Sequence, residues 1–179
     1  MSEQGNKMID VYLAEYNKLK DEQIRRIGYR DNLLYVTLAL LGGIFSFSLK
    51  EGNTTDVLLG IPWICVILGW SYLTNDRKIT KIGAYFEELA RLVNGCFDHS
   101  AQGLLGWETS KIRKGKDRKR RKCIQLLIDW IVFVFTGFTA LVIYHLDQTT
   151  LVLFDWVMMA CESIMLLMLS IGLYKRADF

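Results

Sequence analysis

Three carboxylates lie inside otherwise apolar sequence: Asp129 in QLLIDWIVF, Asp155 in LFDWV and Glu162 in ACESIML. In hydrocarbon a carboxyl group must either be protonated and hydrogen-bonded or face water in a cavity or pore. Asp155 and Glu162 are seven residues apart, so on a helix they project from nearly the same face, about 10 Å apart along the axis. Asp129 belongs to the preceding apolar stretch, and an antiparallel arrangement is expected to bring it within about one turn of Glu162 in depth. No lysine or arginine falls inside either stretch to neutralise them. Two readings stand side by side. The carboxyls line an aqueous path, or they cement helices through hydrogen bonds to Ser163, Thr136 or the backbone.

Arg91, Asn94 and His99 form the one constellation that suggests catalysis. A histidine beside a polar partner can act as a general base, as in ribonuclease sites of the HEPN class, which pair an arginine with a histidine at a shorter spacing. The bland alternative is a surface loop with a helix-capping histidine. A third feature is the run KIRKGKDRKRRK, in which Lys111, Arg113, Lys114, Lys116, Arg118, Lys119, Arg120, Arg121 and Lys122 are basic and one residue is acidic. Such a run sets membrane topology and meets anionic lipid headgroups. It could also hold RNA by releasing counterions from phosphates, but no aromatic residues are interleaved to stack bases. The sequence has no P-loop, no G-x-S-x-G elbow and no zinc spacing. The four cysteines (Cys65, Cys96, Cys123, Cys161) show no pairing or metal-type pattern. No cofactor, metal or disulfide is expected.

The elements that must position these residues are membrane helices. The chain is 51% hydrophobic and 23% charged, and the two classes are segregated into blocks. A soluble domain would instead scatter its apolar residues at helical or strand spacing. Apolar spans run Asn32 to Leu49, Val57 to Leu73, Cys123 to His145 and Leu151 to Leu173. At 1.5 Å per residue the first two only just cross about 30 Å of hydrocarbon. Border aromatics (Tyr35, Trp63, Trp70, Tyr72, Trp130, Tyr144, Trp156, Tyr174) suit headgroup anchors. The first thirty residues carry charge throughout and do not resemble a cleaved signal.

Lysine and arginine number six in residues 1–31, one between the first two spans, thirteen between the second and third, none between the last two and two in the tail. The positive-inside rule then puts both termini and the 75–122 stretch in the cytoplasm. The expected order is a cytoplasmic helix (1–31), two spans (32–74), a cytoplasmic helix and basic loop (75–122), two further spans (123–174) and a short tail (175–179). Met8, Val11, Tyr12, Tyr16, Leu19, Ile24 and Ile27 make an amphipathic helix leading into the first span. Ile79, Ile82, Phe86, Leu89 and Val93 continue the second span to Gly95, a helix stop. These two stripes are expected to cover each other. Packing faces are read from small residues four apart: Ala39 with Gly43 and Gly42 with Ser46 in the first span, Thr136 with Ala140 in the third. Four helices packed this way leave no lumen, so conduction would need several copies around a path. The fold class is an all-α membrane protein with four transmembrane helices and cytoplasmic helical extensions.

The blocks EYNKLKDEQIRRIGYRDNLLYVTLALLG, IPWICVILGWSYLTNDRKITKIGAYF and GWETSKIRKGKDRKRRKCIQLLIDW resemble a family of small four-span bacterial inner-membrane proteins. Within that pattern the chain looks most like the membrane accessory proteins of type VI-B CRISPR loci. The resemblance implies a ring-shaped homo-oligomeric pore in the inner membrane that strengthens RNA-targeting antiphage defence. It also implies functional coupling to an RNA-guided RNase and a divergent HEPN-like element. The spacing of Arg91 and His99 departs from that of an active HEPN pair, so the expectation is a non-enzymatic protein. The alternatives are a membrane-tethered RNase using that element, or a scaffold that docks a soluble partner through the stripe around Phe86 and Leu89.

Overall fold

The computed structural model describes residues 3–48, 55–95, 117–148 and 152–177, with side chains over 7–48, 56–95, 120–148 and 152–176. All of the described elements are helical. α1 is Glu3–Ser48, a 3-10 turn at Thr55–Leu59 leads into α2 (Gly60–Gly95), and α3 is Asp117–Asp129. A π-helical stretch, Trp130–Phe135, joins α3 to α4 (Thr136–Asp147), and α5 is Leu153–Ala177.

Four helical segments are long and apolar enough to cross a membrane: Lys7–Ser48, Asp56–Gly95, Arg120–Asp147 and Leu153–Arg176. The chain is a multi-pass membrane protein. The first span is continuous with the amphipathic segment before it, and the second runs on to Gly95, as the periodicity of Ile79 to Val93 requires. Pro62 lies in the first turn of α2, where its missing N–H leaves no intrahelical bond unmade.

By contact the chain divides into two compact units, one of Met1–Tyr29 with Asn75–Arg118, the other of Arg30–Thr74 with Lys119–Phe179. In the first unit α1 and α2 run antiparallel, because Glu15 meets Tyr85, Tyr16 meets Phe86 and Arg26 meets Asn75. Phe86, Leu89, Ala90 and Val93 of α2 are buried, as is Ile9 of α1. The ring centroids of Tyr16 and Phe86 lie 5.0 Å apart, and Lys20 Nζ sits 5.0 Å from the Phe86 centroid. The stripe of α2 is thus covered by α1, as expected. The stripe of α1 is only partly used: Met8, Val11, Ile24 and Ile27 are exposed.

The second unit is the apolar one. Its interior has two clusters. Leu41, Leu58, Ile61, Cys65, Ala140, Leu141 and Leu166 form one, and Leu33, Tyr72, Leu73, Phe133, Leu169 and Leu173 form the other. Its outward residues are equally apolar: Val36, Ile67, Phe135, Val142, Ile164 and Leu167 are all exposed. Such a surface is suited to lipid tails, whereas in water it would be one continuous sticky patch.

Of the small residues expected at packing faces, Ala140 is fully buried in the interior, and the tightest approaches fall at three further glycines. A Cβ on Gly69 would stand 2.7 Å from Leu169 and 3.1 Å from the Phe133 ring. One on Gly137 would meet Leu166 at 2.8 Å, and one on Gly172 would meet Leu73 at 2.9 Å. Nothing lies within 4 Å of the same position on Gly42 or Gly43, and Ala39 and Ser46 are exposed. Among the described residues, the face of Ala39, Gly42, Gly43 and Ser46 is therefore left uncovered. Tyr72 and Tyr144 also depart from expectation, being interior residues (2% and 3% exposed) rather than border anchors. Substituting Gly69 with valine forces both Leu169 and Phe133 out of place and should destabilise the second unit by about 1–3 kcal/mol. Gly28→Ala, at a position with open space, should not. Thermal or detergent-induced unfolding of the solubilised protein measures both.

Candidate functional site

The polar residues of the second unit gather at two levels. At one, Gln125 and Asp129 stand one helical turn apart on α3. Gln125 Nε2 donates to Asp129 Oδ1 at 2.9 Å and to the Tyr72 hydroxyl of α2 at 2.7 Å. Arg176, in the last turn of α5, donates through a terminal nitrogen to Asp129 Oδ2 at 2.8 Å. Its guanidinium also lies over the Tyr72 ring, 5.6 Å from the centroid. Asp129 is completely buried, so every acceptor it offers is met by protein. The expectation of an uncompensated carboxylate is corrected here: the tail supplies the cation, and Asp129 ties α2, α3 and α5 together.

The π-helical stretch begins directly after this residue. WIVFVF is β-branched and aromatic throughout, side chains that crowd an α-helical turn. The Thr136 hydroxyl bonds back to the Ile131 carbonyl at 2.9 Å, and the Thr136 backbone N–H donates to the same carbonyl. Phe133 within this stretch is fully buried, and its centroid lies 5.4 Å from that of Tyr72. Single π turns inside α-helices recur at functional positions.

The second level is at the opposite ends of α4 and α5. Asp155, in the first turn of α5, accepts the backbone N–H of Val152 at 3.0 Å. An acid at this place reaching back to the residue before the helix is half of a capping box, and its charge suits the positive end of the helix dipole. Gln148 donates to Asp56 at 3.2 Å, and His145 stacks edge-on against Trp156 at 5.6 Å. Tyr144 is buried at this level, and its hydroxyl meets Asp155. Glu162 is 1% exposed, and neither carboxyl oxygen has a hydrogen-bond partner of good geometry, although the Trp63 indole approaches it.

Asp129 contacts Arg176, which lies fourteen residues beyond Glu162 on the same helix, so several helical turns separate Glu162 from the residue that Asp129 meets. They do not share a level, as the antiparallel estimate had it. Asp129 thus follows the cementing reading, with Gln125 and Arg176 in place of Ser163 or Thr136, whereas Asp155 bonds to the backbone at the start of its own helix. Glu162 follows neither pattern.

The remaining sequence candidates carry less. Arg91 is exposed and Asn94 directs its amide nitrogen to the Ala90 carbonyl at 2.8 Å, while His99 lies outside the described residues. Lys111, Arg113, Lys114 and Lys116 lie outside them as well. Arg118 and Lys119 belong to α3, Arg120 and Arg121 are exposed, and Lys122 is half-buried. Phe86 and Leu89, the centre of the scaffold reading, are fully buried within the first unit and offer no docking surface.

Sequence reasoning missed Arg176 because a basic residue after the last span reads as a topology signal. It missed Gly69, Gly137 and Gly172 because their partners lie on other helices. Breaking the buried pair from one side, by Asp129→Asn or Arg176→Gln, should cost about 3–5 kcal/mol, and the double change Asp129→Leu with Arg176→Met should cost much less than the sum. A double-mutant cycle of unfolding in mixed micelles gives the coupling. Compared with protein-family models, curated proteins and solved structures, the chain matches none.

Proposed function

We propose that the chain works as a homo-oligomeric pore in the bacterial inner membrane, perturbing that membrane in antiphage defence alongside an RNA-guided RNase. The observation that carries the assembly is the small-residue face of α1. Gly42 and Gly43 have open space around them, with Ala39 and Ser46 exposed alongside, and in lipid such faces are where helices come closest. A second copy of this chain is the partner that such a face fits. Contacts repeated around a rotation axis close into a ring.

The path then runs between copies. Within one protomer, glycines at 69, 137 and 172 stand against leucine side chains, leaving no room for a lumen. Asp129 and Glu162 are enclosed in the protomer and do not face such a path. The lysine and arginine distribution supports both termini in the cytoplasm. Arg120 and Arg121, exposed at the start of α3, then suit contact with anionic headgroups. The defence setting rests on the resemblance to the accessory proteins of type VI-B CRISPR loci.

The test joins assembly to leakage. Purified wild-type protein should run as an oligomer in mild detergent and release dye and ions from liposomes, and Gly43→Ile should lose both properties while keeping its helical content. A monomeric wild type together with intact vesicles would overturn the reading.

A further inference from the structure

α2 and α5 meet along a seam of glycines. A Cβ on Gly69 would stand 2.7 Å from Leu169, and one on Gly172 would meet Leu73 at 2.9 Å and the Trp70 ring at 3.7 Å. Beside this close approach the larger side chains wall a groove. Val66, Ile67, Trp70 and Ser71 line it from α2, Met165 and Met168 from α5, around a cavity of about 430 Å³. Ile67, Trp70 and Met168 are exposed, so within the membrane-spanning segments the groove opens toward the bilayer.

Its lining suits hydrocarbon. The single hydroxyl, that of Ser71, donates to the Ile67 carbonyl of its own helix at 2.9 Å and has no proton left for a ligand. Methionine side chains are unbranched and polarizable, and they adapt to an occupant of varying shape. The volume falls in the range of about 300–1,000 Å³ usual for small-molecule sites.

The end of the groove adds a charge. Met165, Met168, Gly172 and Lys175 follow one another at steps of three and four, so Lys175 continues the α5 wall, about 10 Å along the axis from Met168. Arg176 next to it is bonded to Asp129. Lys175 is exposed, and among the described residues no ion pair or hydrogen bond engages it. Thr74, also exposed, stands one turn beyond Trp70 on the α2 wall. The polar layer of a leaflet is about 5–8 Å thick, so an ammonium at headgroup level leaves Met168 within the hydrocarbon. α5 carries no acid after Glu162 to receive the amine of a zwitterionic headgroup. A second copy suits this end less well, because the uncovered face of its α1 lies within residues 32–48, where no acid occurs to pair with Lys175.

We infer that the groove between α2 and α5 holds an acyl chain of an anionic phospholipid whose headgroup pairs with Lys175. The site is complete within one chain and stands whether or not copies assemble into a pore.

Bromine on an acyl chain quenches a tryptophan by contact, so Trp70 reports on the groove directly. Full-length protein is placed in phosphatidylcholine vesicles containing either brominated phosphatidylglycerol or brominated phosphatidylcholine, and Trp70→Phe measured in parallel isolates the Trp70 share of the emission. At equal mole fraction the anionic lipid should quench Trp70 about five-fold more effectively, the order expected for one lysine near the surface, and the other tryptophans should show no such preference. Lys175→Gln should abolish the preference and Lys175→Arg should keep it, with helical content by circular dichroism unchanged in both. Equal quenching of Trp70 by the two lipids would mean ordinary bilayer contact. An undiminished preference in Lys175→Gln would place the charge elsewhere, and a Trp70 that neither lipid reaches would mean that protein fills the groove. Each of these three results overturns the proposal. None of the readouts depends on vesicle leakage, so failure here is distinguishable from failure of the pore reading.

Discussion

A charge cannot be left alone in a membrane interior, and the contact between Asp129 and Arg176 is how this chain meets that constraint. Because Asp129 is wholly enclosed, the guanidinium must come to it, and this fixes the depth of the end of α5 against the end of α3. Gln125 and Tyr72 complete the set, so α2 is brought to the same level. The aromatic contact of Tyr72 with Phe133 and the packing of Leu73 on Gly172 lie on the same side of the unit. The glycine–leucine fits at Gly69, Gly137 and Gly172 set how closely these helices approach. Directional polar contacts add a second constraint on which turn of one helix faces which turn of the next.

The other end of the apolar unit is fastened by weaker means. Asp155 caps its own helix, Gln148 reaches Asp56, and His145 leans on Trp156. These contacts are exposed or half-exposed, where hydrogen bonds compete with water and contribute on the order of 1 kcal/mol each. The first unit uses the same devices in miniature. Asn75, itself buried, donates to the Arg26 carbonyl at 2.7 Å, and Tyr85 donates to Glu15 at 2.8 Å, setting the register of two helices whose apolar contact is narrow.

Much of the architecture is legible in the sequence. Span-length apolar blocks identify four membrane helices, and the three- and four-residue recurrence from Ile79 to Val93 carries α2 to Gly95, because both signals are local. The placement of Asp129 was not legible, since its partner is 47 residues away and lies in a tail read for topology. The four-residue spacing of Ala39 with Gly43 and of Gly42 with Ser46 does mark a face, but spacing along one helix does not say whether the facing helix belongs to the same chain. Gly69, Gly137 and Gly172 carry no spacing signal, as each fits a leucine on another helix. The π-helical stretch has only a compositional hint, the bulky run WIVFVF.

The distance along the chain between Asp129 and Arg176 bears on how the protein enters the bilayer. Translation delivers the acid 47 residues ahead of its counter-charge, so α3 reaches the insertion machinery carrying a carboxyl whose partner has not yet been made. An unpaired acid weakens the partitioning of a nascent helix into lipid. α4 ends at Asp147 and α5 starts at Leu153, a short enough interval for the two arms to be held together and released as a hairpin.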